Sequence, residues 1–372
     1  MALRSTAGHR KGKGAAASSS AALVHVARAV AAFRAGRPVA ISGSAGVLAL
    51  AVETAPDRAL KTLLAGRKPA VLVLTHARAR TLKIRVYTPD VVALPLPRDA
   101  QMAKLRAIAD PTKDLAEPMK GPFEPVRGRI SENLALAVRL AKLSGLLPAV
   151  VAAQGASAPN NAARIRAKDI AAYDEESART LSIVTRASVP LEGAEQAELV
   201  AFRSGVVGPE HYAVVINAPS AQKPVLTRLH SECFTGDLLG SLKCDCGAQL
   251  RGAIRTISKA GGGVLLYLAQ EGRGIGLVNK LRAYRLQDQG FDTMEANERL
   301  GFEPDERLYA IAAKMLKLLG YRSVRLLTNN PAKIGALKSR GIRVAERVAH
   351  AFPDNPHNRH YLQAKARAGH LL

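Results

Sequence analysis

Cysteine is scarce in this chain of 372 residues, which contains only three, and tryptophan is absent. Aromatic residues make up only 4% of the sequence, so the stacking platforms that bind single-stranded nucleic acids would be sparse. The longest apolar run, Ala45–Val52, is far shorter than the roughly 20 residues that span a bilayer. These shortages argue against a fold stabilised by several disulfide bonds, against a membrane protein and against a protein that binds a specific nucleic acid.

Acidic residues are missing from the N-terminus. The first is Glu53, and seven lysines and arginines precede it. A basic, acid-free start rich in alanine and serine resembles an organellar transit segment. The alternative, which we adopt, is a short disordered tail over residues 1–20 and a cytoplasmic protein. The formal net charge of +24 suits either a nucleic acid or a polyanionic small molecule, and charge alone does not decide between them.

Hydrophobic periodicity predicts an α/β protein with mixed-sheet α+β layers in two domains. In the first half, predicted helices alternate with predicted strands such as PAVLVLT and KIRVYT. The pattern breaks at VPLEGAEQAE, which predicts domains over residues 21–195 and 196–372. In the second half, strands alternate with helices, one of them near Asp305–Leu319.

All three cysteines, Cys233, Cys244 and Cys246, fall within one short segment. Such clustering indicates a metal site, and three thiolates without an obvious fourth ligand are typical of a zinc ion with one position open for catalysis. Spacing alone leaves other interpretations open. The alternatives are three inert buried thiols, a disulfide that leaves one thiol unpaired, or a structural zinc site completed by His230.

Two strand–loop–helix junctions, GRGIG at Gly272–Gly276 and TNNPAK at Thr328–Lys333, are candidate phosphate sites. Free N–H groups at a helix start attract anions, and Arg273 and Lys333 add positive charge. Neither segment matches a P-loop or a dinucleotide fingerprint, and either segment taken alone is also compatible with a structural turn.

Three segments together closely resemble GTP cyclohydrolase II of riboflavin biosynthesis: RLHSECFTGDLLGSLKCDCGAQL, QEGRGIGLVNKLRAYRLQDQGFDTMEAN and LLTNNPAK. The similarity covers about Phe202–Leu372, including the closing HYLQAKARAGHLL. The resemblance implies that GTP is hydrolysed to formate, pyrophosphate and 2,5-diamino-6-ribosylamino-4(3H)-pyrimidinone 5′-phosphate. It also implies one zinc ion on the three cysteines, Mg²⁺ with the triphosphate, and a homodimer.

The resemblance also assigns roles to residues that would otherwise look ordinary. Arg307 matches a nucleophile at the α-phosphate, Asp305 matches its proton acceptor, and Tyr284 matches a tyrosine near the ring-opening step. Leu229 stands where valine is usual. The residues that match nucleotide contacts are Arg228, Leu229, His230, Ser231, Glu232, Gln249, Glu271, Gly272, Arg273, Thr293, Thr328 and Lys333.

The first half resembles 3,4-dihydroxy-2-butanone 4-phosphate synthase in AFRAGRPVAI and LAVRLAKLSGLLPAVV. That enzyme needs magnesium and an acidic motif, but the matching stretch here is SGSAGVLALA, which has no carboxylate. Asn133 and Gln154 stand at the positions of a histidine and a glutamate. We therefore predict an inactive first domain. The alternatives are a bifunctional enzyme and a non-catalytic basic zinc protein that binds RNA or GTP.

Overall fold

The computed structural model describes residues 10–205 and 207–358, together with 366, 369 and 371. The helices in these parts of the chain are α1 Arg10–Arg34, α2 Asp57–Leu64, α3 His76–Thr81, α4 Met102–Ala109, α5 Glu132–Leu143, α6 Ala167–Ala171, α7 Tyr173–Arg179, α8 Cys246–Lys259, α9 Leu277–Asp288, α10 Thr293–Arg299, α11 Tyr309–Leu318 and α12 Pro331–Lys338. The strands are β1 Val39–Ser42, β2 Val47–Ala51, β3 Ala70–Thr75, β4 Val91–Pro95, β5 Ala149–Gln154, β6 Ala163–Arg166, β7 Leu181–Ser188, β8 Ala197–Ser204, β9 Glu210–Ile216, β10 Val225–Ser231, β11 Gly263–Leu268, β12 Ser323–Leu327 and β13 Arg343–Val348.

The strands form two mixed sheets, which confirms the predicted fold class. The first sheet has the order β4-β3-β5-β2-β1-β6, and only its β1–β6 pair is parallel. All five residues of β2, VLALA, are buried, because apolar clusters cover both faces of this sheet. A strand buried on both faces has a continuous apolar sequence rather than an alternating one.

The second sheet has the order β13-β12-β10-β11-β9-β8-β7. Strands β13, β12, β10 and β11 are parallel, whereas β9, β8 and β7 continue the sheet antiparallel. Helix α8 connects β10 to β11, and α9, α10 and α11 precede β12. The carboxyl ends of β10, β11 and β12 therefore meet at one edge, where open α/β sheets bind ligands.

The segment VPLEGAEQAE connects β7 to β8 inside the second sheet. Its Gly193 has a φ of 78°, and an isolated bridge joins Leu191 to Ala194. The predicted boundary at residues 195 and 196 thus falls within this hairpin, whereas the chain passes from the first sheet to the second between α7 and β7. This turn is rich in polar residues and so has the composition of a linker, which is why the sequence pattern placed the domain boundary there.

The segment predicted as a disordered tail is helical from Arg10 onward in α1. Alanine, the residue with the highest helix propensity, is frequent in this helix. Residues 1–9 of the predicted tail lie outside the described residues, as does most of HYLQAKARAGHLL.

One apolar core joins the two halves of the chain. Buried residues of the first sheet and its helices, such as Leu72 and Leu105, pack in the same cluster as residues of α9 and α10 and the segment after α10. The buried contributions from the second half are Ile275, Ala283, Leu286, Ala296, Leu300 and Phe302. The first domain therefore supports the helices that lie between β11 and β12.

None of the helices in the described ranges combines the length and apolar character needed to cross a membrane.

Candidate active site

A pocket opens at the carboxyl ends of β10, β11 and β12. The residues predicted to act on or bind the nucleotide line it, with the exception of Asp305, which is paired to the lining residue Arg307. The three cysteines lie in its wall as well. Residues from positions 228 to 350 thus converge on one cavity. The individual roles of these residues remain predictions.

The cysteine cluster is compact. The sulfur atoms of Cys233, Cys244 and Cys246 all lie within 4.8 Å of one another, and Cys233 Sγ is 3.7 Å from Cys244 Sγ. Four-coordinate zinc with Zn–S bonds of about 2.3 Å places its sulfur ligands about 3.8 Å apart. Among the described histidine, cysteine and acidic side chains, these three form the group close enough to share a metal ion.

The backbone leaves room for the three thiols at Gly236, in a π-helical turn over Phe234–Leu238. A Cβ atom on Gly236 would lie 2.8 Å from Cys244 Sγ and 3.0 Å from Cys233 Sγ. Only glycine therefore fits this position while the sulfur atoms keep their arrangement.

Lys280 of α9 is buried against the cluster and was not predicted from the sequence. Its Nζ lies 2.9 Å from Cys233 Sγ and donates to Glu271 Oε1 at 2.9 Å. Burial alone would lower the pKa of Lys280, but the Cys233 sulfur and Glu271 raise this pKa above its ordinary value. The neighbouring thiols of Cys244 and Cys246, and then the Lys280 ammonium, lower the pKa of Cys233, which favours its thiolate.

Asp237 is a second buried group that the sequence did not indicate. Its carboxylate accepts hydrogen bonds from the Cys233 backbone N–H and the Tyr267 hydroxyl, both at 3.0 Å, and is 3.0 Å from His230 Nε2. His230 stacks on Tyr267 with the ring centroids 5.6 Å apart. This network directs His230 Nε2 to a carboxylate, and His230 is not part of the cysteine group. Burial lowers the pKa of His230, which favours the neutral ring.

Arg228 places a cation at the floor of the pocket. Its guanidinium donates to the Leu327 carbonyl at 2.9 Å and to Gln249 Oε1, and the residue is 6% exposed. Burial lowers the pKa of Arg228 to about 10, so the side chain is still charged at neutral pH. The adjacent Leu229 side chain is buried in the core below, and its carbonyl accepts from Lys333 Nζ at 2.9 Å. Leu229 would therefore touch a ligand mainly through its backbone.

The GRGIG segment wraps one side of the pocket. Gly272 and Arg273 both have left-handed φ values, of 62° and 63°, and the turn leads into α9. Glu271 stabilises this turn because Oε1 accepts from the Gly272 N–H at 2.9 Å and Oε2 accepts from the Phe234 N–H at 2.6 Å. Burial and the nearby Glu271 carboxylate raise the pKa of Glu232, the pocket residue that follows β10.

The TNNPAK segment also lines the pocket, and it follows β12, which lies on the other side of β10 from β11. Asn330 caps α12 by accepting from the Ala332 N–H at 2.9 Å, and Pro331 occupies the first turn. Asn329 exchanges two 2.9 Å hydrogen bonds with the backbone of His350, so the chain after β13 is tied to this loop. His350 also lines the pocket.

Asp305 and Arg307 lie outside any helix, because α11 begins only at Tyr309. The Asp305 carboxylate receives the Arg307 guanidinium in a bidentate pair, with Nε at 2.7 Å and Nη2 at 2.6 Å, and also accepts from the Tyr309 hydroxyl at 2.9 Å. Burial opposes ionisation, but Arg307 nevertheless holds the pKa of Asp305 below its usual range. The irregular backbone lets this charged pair reach the pocket edge.

Tyr284 and Thr293 lie on the helices that cover the pocket. The Tyr284 hydroxyl is 3.3 Å from Thr235 Oγ1, and burial raises the pKa of Tyr284 to about 12. Thr293 begins α10 and accepts a 3.0 Å hydrogen bond from Gln287 Nε2. Tyr284 thus keeps its proton at neutral pH.

The fold and the site define a two-domain α/β protein whose pocket adjoins a cysteine cluster able to hold a metal ion. The family model for GTP cyclohydrolase II matches residues 182–349. GTP cyclohydrolase-2 of Azospirillum brasilense is 51% identical over 319 residues, which are 83% of this chain and 83% of that protein. The chain belongs to the GTP cyclohydrolase II family, which confirms both the predicted resemblance and the predicted enzyme class.

Other relatives differ in length. GTP cyclohydrolase-2 of Proteus mirabilis (strain HI4320) is 57% identical over 175 residues, which are 47% of this chain and 88% of that protein. Riboflavin biosynthesis protein RibBA of a Synechocystis species is 45% identical over 254 residues, which are 63% of this chain and 46% of that protein. A crystal structure of RibBX, a two-domain 3,4-dihydroxy-2-butanone 4-phosphate synthase from A. baumannii, is 17% identical, covers 88% of this chain and 99% of that chain, and has a TM-score of 0.32.

Proposed function

We propose that this protein hydrolyses GTP to formate, pyrophosphate and 2,5-diamino-6-ribosylamino-4(3H)-pyrimidinone 5′-phosphate, the first step of riboflavin biosynthesis. The observation that carries the proposal is the convergence of two different chemistries in one pocket. A thiol cluster lies in the pocket wall, while an arginine–carboxylate pair and two basic loops lie around it. A reaction that opens a purine ring and also cleaves a triphosphate needs both.

The metal in this proposal is one zinc ion on Cys233, Cys244 and Cys246. The sulfur spacing and the space left by Gly236 fit a zinc ion, and thiolates are ligands that zinc favours. When bound, zinc would act as a Lewis acid and lower the pKa of a water molecule for attack at C8 of the purine. Lys280 would neutralise part of the thiolate charge from its position 2.9 Å from Cys233 Sγ.

Around the purine, protein groups would orient the ring and handle protons. Tyr284 retains its hydroxyl proton and can donate it in a hydrogen bond. The pKa of Glu232 is raised by burial and by Glu271, and its carboxyl group would serve as a proton donor or acceptor beside the ring. Gln249 is held by Arg228 and Asp245, which fixes the orientation of its amide.

Around the triphosphate, Arg273 and Lys333 would bind the anionic oxygens, and Mg²⁺ bound with the substrate would neutralise the leaving pyrophosphate. Arg307 would attack the α-phosphate and expel pyrophosphate, with Asp305 accepting the arginine proton, and water would then cleave the phosphorus–nitrogen bond to release the 5′-phosphate. An arginine is normally protonated, so this role requires the adjacent carboxylate, and the bidentate pair supplies it.

For the first domain we propose loss of synthase activity. The stretch SGSAGVLALA is adjacent to Asn133, whose amide donates to the Ala45 carbonyl, and Val47 pairs with Gln154 across β2 and β5. The positions expected to bind a magnesium ion are therefore close together in space, but they offer apolar, hydroxyl and amide side chains instead of carboxylates. Formation of butanone phosphate from ribulose 5-phosphate by the purified chain would contradict this proposal.

We further propose a cytoplasmic homodimer. Exposed large apolar side chains lie on two neighbouring segments, the cysteine-containing loop and α9, which the Thr235–Tyr284 contact holds together. They are Phe234, Leu238, Leu239, Leu242, Val278 and Leu281. Sedimentation analysis that finds only monomers at micromolar concentration would reject the dimer.

The test of the main proposal is incubation of the zinc-loaded protein with GTP and Mg²⁺, with separate measurement of formate and pyrophosphate. We expect both products. Cys244→Ser should abolish formate release, and Arg307→Ala should abolish pyrophosphate release. Binding of GTP or RNA by the zinc-loaded wild-type protein without either product would refute the enzymatic proposal and favour a binding protein.

A further inference from the structure

The segment that carries Asp305 and Arg307, residues 302–308 (the Arg307 loop), has no regular structure of its own. It follows Gly301 and ends where α11 begins at Tyr309. An irregular segment can present a catalytic side chain reproducibly only if other parts of the protein hold it, because each unrestrained residue retains backbone entropy.

Glu306 is the centre of the hydrogen bonds within this loop. Its Oε1 atom accepts from the Glu303 N–H at 2.9 Å, and its own N–H donates to the Arg273 carbonyl at 3.1 Å. The loop also packs tightly on the GRGIG turn, since a Cβ atom on Gly274 would lie 2.8 Å from the Glu306 carbonyl oxygen. The position of Glu306 therefore sets the position of its neighbour Arg307.

The partner of the Glu306 carboxylate comes from the other domain. Lys142, in the last turn of α5, donates from Nζ to Glu306 Oε1 at 2.5 Å across 164 residues of sequence. Both side chains are mostly buried, with exposures of 20% and 21%, so solvent screens the pair less than it screens a surface ion pair. The Lys142 ammonium also lies 5.8 Å from the centre of the Phe302 ring, at the start of the loop.

A second contact fixes the beginning of the loop to the first domain. Gly301 has a φ of 85°, and a Cβ atom there would lie 2.8 Å from Thr75 Oγ1 and 2.9 Å from Pro148 Cγ. The chain thus enters the loop with the Gly301 backbone close to the side chains of Thr75, at the end of β3, and Pro148, before β5. The first domain touches the Arg307 loop both at its start and at its centre.

We propose that Lys142 and Glu306 are positioning residues for the reaction. Through Lys142, the first domain holds the Arg307 loop so that Arg307 faces the pocket. The proposal rests on the proposed function, because it assigns Arg307 to the chemistry. It gives the first domain a role in this enzyme that does not require synthase activity.

The experiment compares full-length, zinc-loaded variants. Lys142→Met and Glu306→Gln should each lower kcat for pyrophosphate release by roughly 10- to 100-fold, the scale of a small misplacement of a catalytic group. The KM for GTP and the zinc content should stay unchanged, and Lys142→Arg should restore most of kcat. The double variant should be no worse than either single variant, because both substitutions break one contact.

The control is Arg80→Met. Arg80 also bridges the domains, through Glu298 at 3.3 Å, and this partner lies on α10 rather than on the Arg307 loop. We expect wild-type kcat for this variant. Unchanged kcat in both Lys142→Met and Glu306→Gln would overturn the proposal. So would a parallel loss of kcat, zinc and melting temperature, which would indicate a purely structural contact.

A second measurement separates this proposal from the proposed function. Hydrogen–deuterium exchange of Lys142→Met should be faster in residues 302–308 and unchanged in the strands of the second sheet. If wild-type protein released no products but this local change appeared, the function would be wrong and the positioning contact correct. Unchanged exchange in the loop would reject the contact whatever the activity.

Discussion

Replacing Gly236 by alanine would place one methyl group inside the cysteine cluster. The added Cβ would lie 2.8 Å from Cys244 Sγ and 3.0 Å from Cys233 Sγ and Cys246 Cβ. Since non-bonded heavy atoms prefer separations of about 3.5 Å or more, the Cys244 sulfur atom or the backbone would have to move by about 0.7 Å. Gly236 does not have a positive φ, so the clash, rather than backbone strain, would dominate.

This displacement is large for a metal site, where ligand distances are held within about 0.2 Å. Changes beside metal ligands typically weaken metal binding by about 10- to 100-fold, which corresponds to about 1.4 to 2.7 kcal/mol. We expect Gly236→Ala to lose at least this much zinc affinity and to lose formate release in proportion. The decisive measurement is competition for zinc with a chromophoric chelator, followed by formate release at fixed free zinc.

The matched control is Gly335→Ala on α12. A Cβ atom at Gly335 would meet nothing within 4 Å, so this variant should keep wild-type zinc affinity. If Gly236→Ala also bound zinc with wild-type affinity and released formate at the wild-type rate, the inference that the turn is shaped around a metal would be refuted.

Three further predictions concern stability. Burial lowers the pKa of His211 to about 4, so that as the pH falls the unfolded chain takes up a proton near pH 6.5, before the folded chain does. The contribution of His211 to the free energy of unfolding should therefore be fully present above pH 6.5 and should decrease by at most about 3 kcal/mol as the pH falls to 4. In urea unfolding at pH 5 and pH 7, the stability of His211→Gln should depend less on pH than that of the wild type. Asp237→Ala should lower the free energy of unfolding in urea by about 1 to 3 kcal/mol, because it leaves the Cys233 N–H and the Tyr267 hydroxyl without their acceptor. An unchanged unfolding midpoint would contradict this network. Removal of residues 1–180 should cause aggregation, measured by light scattering, because it exposes the apolar side chains of α9 and α10 that pack on the first domain. A monodisperse, active fragment would argue against that shared core.

Local sequence patterns predicted several regular elements well. The helix in ENLALAVRLAKL spans Glu132–Leu143, and PAVLVLT contains β3. KIRVYT was wrongly predicted as a strand, although its residues alternate as a strand requires. Lys83 has a φ of 59°, Tyr87 is exposed, and the strand forms instead at Val91–Pro95. Alternation shows that a strand is possible, but pairing with a neighbouring strand decides which segment forms it.

Short motifs in the sequence indicated residues that gather at the pocket, while the roles of these residues stay predictions. The cysteine spacing indicated a metal site, and residues of both junction loops line the pocket. Lys280 and Asp237 were missed because a lysine in a helix and an aspartate in a loop are normally solvated. Only the fold shows that they are buried against Cys233.

The sequence by itself determined the cysteine cluster, the basic loops and the absence of carboxylates from SGSAGVLALA, because each is a property of adjacent residues. The tertiary structure alone decided that α9 and α10 pack on the first domain and that Lys142 contacts Glu306. Residues separated by more than a hundred positions are brought together only by the tertiary fold, and no local sequence pattern records which buried charge faces which. The partnership between the two domains is therefore a property of the folded molecule.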